Sequence, residues 1–163
     1  MDIKYFFRNI KIGFKNLIKW FAVIWKDRQW DHYYIYVILR HKLHLTEQFI
    51  RHYGCHIRHI EDANNIKKCV LLLDRLIKDD YYENVYKHHD EKWGDTNFSF
   101  TDSTDYPNCS ELHITYENVK TEEDKKQQEK EYKRLMNKPQ ELKDQDLDLL
   151  FKTIRKYIQT WWD

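Results

Sequence analysis

The chain has 163 residues, of which 34% are charged and 16% aromatic, with only 3 Gly and 2 Pro. That is the size of one ordinary domain, and so few turn-forming residues weigh against a barrel, a sandwich or a Gly-rich phosphate loop. The net charge of +1 conceals an asymmetry: residues 1–60 hold eleven Lys/Arg against four Asp/Glu, and the remainder is correspondingly acidic, so the basic part can answer either an external anion or the chain's own acidic part.

The first predicted element spans residues 3–24. Ile3, Phe6, Phe7, Ile10, Phe14, Leu17, Ile18, Phe21 and Ile24 share one helical face, and Lys4, Arg8, Lys11, Lys15 and Lys19 form a basic face beside it. Such a helix suits a membrane surface or a nucleic acid. The plainer reading, and the one expected, is the first helix of a bundle with its apolar face inward and its lysines in water.

Residues 30–53 contain no Gly or Pro and are predicted to form the central helix. Val37, Ile38, Leu45 and Phe49 fall on one side and Ile35, Leu39, Leu43 and Ile50 on another, which predicts burial by neighbours. Gly54 is placed in the left-handed position after the helix. A third helix follows from Glu61 to about Asp79, and a fourth from Tyr81 to Trp93, closed by Gly94. Asn97, Ser99, Asp102, Asp105, Pro107 and Asn108 supply loop chemistry, while Phe98 and Phe100, then Leu112, Ile114 and Tyr116, alternate as in a hairpin. Thr121 with Asp124 reads as a capping box for a polar helix over 122–137. Lys138-Pro139 is expected to stop that helix. A last one from about Asp144 carries Leu147, Leu150, Phe151, Ile154, Ile158 and Trp161 at core spacing. Trp161 and Trp162 are expected to dock on the body or on a second subunit.

The prediction is therefore a mainly α single domain: a bundle of four to five helices over 1–93, a minor β-hairpin insertion at 94–118, and C-terminal helices forming an arm over 119–163. Cys55, Cys69 and Cys109 are odd in number and lack paired spacing, which implies no disulfide framework and a reducing cytoplasm. Neither a secretory leader nor a run of about 20 apolar residues able to span a bilayer is expected.

The segments WFAVIWKDRQWDHYYIYVILRHKL, CVLLLDRLIKDDYY, KWG, TEED and QDLDLLFKTIRKYIQTWWD together resemble a family of uncharacterised proteins encoded by tailed bacteriophages. The likeness runs over most of the chain, and DR-x-WD and the terminal WWD are its most specific parts. Ala22 stands where similar sequences have a proline, and the His-rich stretch 41–59 is particular to this chain. The resemblance implies phage origin and action in the cytoplasm of an infected bacterium. By analogy it implies an accessory role, such as inhibiting a host enzyme or sequestering a defence signal.

Trp25, Lys26, Arg28, Trp30 and Asp31, with Tyr33 and Tyr34 in the next turn, are the first candidate ligand site, since an Arg fork between aromatic faces suits a phosphorylated small molecule. The competing structural reading pairs Asp27 and Asp31 with Arg28, caps the following helix and buries both tryptophans. The histidines, including His41/His44 and His52/His56/His59 with Cys55, lack a metal-binding motif, so no metal and no cofactor are expected. His56 with His89-Asp90 loosely matches a metal-dependent HD-type phosphohydrolase. No nucleophile is recognisable. The expected function is a non-enzymatic accessory protein that binds a host protein or captures a phosphorylated small molecule. The alternatives are nucleic-acid binding through Lys4 to Lys19 and HD-like hydrolysis. A homodimer is compatible with the aromatic C-terminus and the polar arm.

Overall fold

Helices α1 (Ile3–Lys26), α2 (His32–Tyr53), α3 (His59–Lys78) and α4 (Tyr81–Trp93) precede a hairpin of β1 (Thr96–Asp102) and β2 (Ser110–Tyr116). Helices α5 (Glu122–Leu135) and α6 (Lys138–Tyr157) and a 3-10 turn over Ile158–Thr160 complete the order. The mainly α class, the minor hairpin and the C-terminal helices are as predicted. The computed structural model describes residues 3–104, 106 and 108–162, without the side chain of Ile3; Asp105 and Pro107 of the predicted loop and Asp163 of the terminal WWD lie outside the described residues. Contacts divide the chain into two units, Met1–Lys78 with Leu147–Asp163, and Asp79–Asp146. Helix α6 begins in the second and ends in the first.

In the first unit the deeply buried helix is α3, not α2. Ala63, Ile66, Cys69 and Leu73 of α3 are fully buried, and Val70, Leu72 and Leu76 nearly so. Along α2 only Leu43, Glu47 and Ile50 are buried, while Ile35 and Phe49 stay more than half exposed. Two side-chain bridges set the pairing of α2 with α3: Arg40 Nε donates to Asp74 Oδ1 at 2.8 Å and Arg51 Nη2 to Asn64 Oδ1 at 3.0 Å. The early residue of one helix thus meets the late residue of the other, so they run antiparallel. Ala63, Ile66, Cys69 and Leu73 recur at helical spacing as one fully buried stripe, so α3 takes the core position that length and bulk assigned to α2.

The chain leaves α2 at Gly54 in an extended conformation, φ −64° and ψ 131°, rather than the left-handed one predicted. Glycine is needed there for close approach, since a Cβ would collide with the Ile50 carbonyl oxygen and the His59 side chain. Gly94 does adopt positive φ, 76°, after α4.

In the second unit α4 packs on α5. Glu131 accepts from Lys92 Nζ at 2.6 Å and from Trp93 Nε1 at 2.8 Å, and Tyr81 Oη donates to Asp146 Oδ2 at 2.6 Å. The antiparallel register pairs Phe98 with Ile114 and Phe100 with Leu112, gathering four apolar side chains on one hairpin face, all of them exposed. Thr121 and Asp124 form the predicted capping box of α5. Helix α5 ends at Leu135, just ahead of Lys138-Pro139 as expected, but the next helix starts at Lys138 rather than near Asp144, with Pro139 in its first turn, where its missing N–H leaves no intrahelical bond unmade.

Candidate functional site

Helix α1 departs most from the sequence-based expectation. Instead of turning inward, its apolar face is open: Phe6, Phe7, Ile10, Phe14, Leu17, Ile18, Phe21 and Ile24 are between 45% and 75% exposed. Lys4, Arg8, Lys11, Lys15, Lys19 and Lys26 are exposed as well, and no Asp or Glu occurs between Ile3 and Lys26. What holds α1 to α2 is a different sector, around Trp20 and Val23, its only half-buried residues among those described. There Trp20 meets His41 edge-on, with ring centroids 4.8 Å apart.

The predicted ligand cluster lies where α1 gives way to α2. Arg28 Nη1 donates to the carbonyl of Asp27 at 2.7 Å, so it contacts a backbone oxygen rather than the expected carboxylates. Asp31 caps α2 through its Oδ1, which accepts from the Tyr33 N–H at 2.9 Å. Neither flanking tryptophan enters a core: Trp25 is 73% and Trp30 82% exposed, and Trp25 stacks on Phe21 with centroids 5.4 Å apart. Tyr33 and Tyr34 lie edge to face at 5.1 Å. Trp25 and Phe21 therefore continue the open apolar face of α1, and Lys26 and Arg28 extend its cations to the end of the helix.

The histidines are engaged in structure. His56 Nε2 lies 3.1 Å from Asp62 Oδ2, and Thr160 Oγ1 donates to Asp62 Oδ1 at 2.9 Å, so the buried Asp62 ties the 3-10 turn to the start of α3. Cys55, His56, Asp62, Thr160 and Trp162 line a cavity of about 530 Å³ at this junction. His89 is buried within a ring of Tyr86, Tyr116 and Tyr132, at centroid distances of 6.0, 5.4 and 6.1 Å. Its Nδ1 lies 3.2 Å from Asp90 Oδ1 and its Nε2 3.3 Å from Gln128 Nε2, and the tautomer with hydrogen on Nδ1 satisfies both contacts. Among the described residues no three His, Cys, Asp or Glu side chains gather as metal ligands, and the residues of the HD-type reading, His56, His89 and Asp90, have the other partners just named.

Sequence reasoning missed a cavity of about 490 Å³ between β2 and α5, lined by Tyr116, Thr121, Lys125, Gln128 and Tyr132 among others. Burial, then the neighbouring Tyr132, pushes the Tyr86 hydroxyl beside it up to about 12 and raises that of Tyr116. The i, i+4 spacing of Gln128 and Tyr132 on the polar α5 is the signal that could have found it. No known protein-family model, no curated protein and no solved structure matches the chain.

Proposed function

We propose that this protein is a non-enzymatic accessory protein that works by binding, and that α1 is the element with which it binds. The carrying observation is the open apolar face of α1, eight large side chains beside a row of cations with no carboxylate on the helix. Covering such side chains is worth about 1 kcal/mol or more each at their degree of exposure, before the cost of association. A contiguous apolar face left in water on this scale marks an interaction site. Phage origin and action on an infected host rest on the resemblance of the DR-x-WD and WWD segments. Trp25, stacked on Phe21, continues the same surface to the end of α1, and Arg28 follows two residues beyond Lys26, so the phosphate-seeking arginine and the helix read as one site.

The test is to replace Leu17 and Ile18 together by Asn in the full chain and to follow its association with host components during infection. The fold is expected to be retained, because both side chains are exposed, and the association to be lost. Retained association would remove α1 from the function.

A further inference from the structure

The geometry of α1 narrows what can cover it. Turned at about 100° per residue, the eight exposed apolar side chains named above fill an arc of roughly 120°, and the six cations from Lys4 to Lys26 fill a neighbouring arc of about 80°, while Ile12, also exposed, falls outside both in the sector of Val23. The sector around Trp20 and Val23 that touches α2 lies outside both arcs. Whatever covers the apolar arc must also accept a row of positive charge running about 33 Å along the helix at about 1.5 Å per residue. A second copy of α1 would bring another cation row and no carboxylate to meet the first. A nucleic acid would take the cations but leave the apolar arc in water.

A bilayer surface with anionic headgroups satisfies both at once. The acyl boundary receives Phe14, Leu17 and their neighbours, and the headgroup phosphates receive the lysines. Trp25 and Trp30 at the end of the helix have the amphipathic rings that settle at headgroup level, next to Lys26 and Arg28. No described helix is long and apolar enough to cross a membrane, so such a helix lies along the surface.

Resting on the reading of α1 as the binding element, we infer that α1 docks on an anionic lipid bilayer, apolar arc down, with the Trp25–Trp30 corner on headgroup phosphates. The experiment is co-flotation of the full chain with vesicles of phosphatidylcholine alone and of phosphatidylcholine mixed with phosphatidylglycerol. Binding to the anionic vesicles is expected to be tighter by about tenfold or more, to weaken with added salt, and to fall by a similar factor in Lys4→Glu/Lys11→Glu/Lys15→Glu and in Leu17→Asn/Ile18→Asn. Circular dichroism of both variants, altered only at exposed positions, checks that they fold. Equal binding to both kinds of vesicle, or none to the anionic ones, overturns the inference. If vesicles are not bound but the Leu17/Ile18 variant abolishes self-association or nucleic-acid binding, the lipid assignment falls while α1 remains the binding element. If neither variant changes any association, both readings fall.

Discussion

Trp20 of α1 lies edge-on against His41 of α2, ring centroids 4.8 Å apart and planes at 75°, while His41 Nε2 is buried without a hydrogen-bond partner among the described residues. The contact is one of few between these helices and sits away from the apolar arc, so a single aromatic pair does much to fix the pose of α1. Trp20→Ala is expected to cost about 1–2 kcal/mol, less than a full core truncation because the ring is only half-buried. Hydrogen exchange should show α1 amides losing protection while those of α3 keep theirs. Equal loss in both helices would mean that the pair supports the whole unit.

Asp62 joins distant parts of the chain through His56 and Thr160. Thr160→Val is expected to lower stability by about 1 kcal/mol, and Asp62→Ala by about 2–3 kcal/mol, since the latter strands two polar partners. Urea midpoints for the two variants measure the difference. A Thr160→Val midpoint equal to the parent's would show that the 3-10 turn contributes nothing through this carboxylate, and equal midpoints for the two variants would show that His56 adds nothing to it.

Lys92, and after it Trp93, holds the Glu131 carboxyl below its ordinary value of 4.5. A group whose pKa is lowered on folding adds stability that is fully present above its unfolded value and disappears as pH falls through the folded one. Glu131→Gln should therefore be less stable than the parent at neutral pH, and the gap should close as pH drops below about 4.5. Denaturation midpoints across that range test the sign.

The two glycines of the first unit should answer oppositely to alanine. At Gly54 a Cβ meets the Ile50 carbonyl and His59, so Gly54→Ala is expected to cost about 2 kcal/mol. Nothing lies within 4 Å of a Cβ at Gly13, so Gly13→Ala should stabilise α1 by up to about 1 kcal/mol. Thermal unfolding of the two variants separates them.

Burial pushes the Cys69 thiol up to about 11, whereas Cys55 and Cys109 are exposed. At neutral pH a thiol reagent should modify Cys55 and Cys109 quickly and reach Cys69 only on unfolding. Mass spectrometry of the labelled native chain reads this directly, and fast labelling of Cys69 would contradict the packing of α3.

The local elements were legible because their signals are local. The fourth helix falls at Tyr81–Trp93 as read, the capping box at Thr121 and Asp124 forms, and the hairpin pairs Phe98 with Ile114. Less legible were features whose meaning depends on what stands opposite. Pro139 reads as the stop of one helix and is also a first-turn residue of the next, and Gly54 reads as a left-handed cap until His59 is seen to crowd it. The cluster Trp25, Arg28, Trp30 and Asp31 was visible as a group, but its exposure was not.

What the sequence determined by itself is which residues share a helix face, since periodicity fixes that at about 100° per residue whatever the surroundings. The apolar arc and cation row of α1 were thus fixed before any fold. Only the tertiary structure decided which faces are covered. Antiparallel packing against α3 uses Leu43, Glu47 and Ile50 of α2 and seats α1 through Trp20, leaving the most apolar face in the chain open. Burial is a property of pairs of surfaces, and an amphipathic pattern names only one member of each pair.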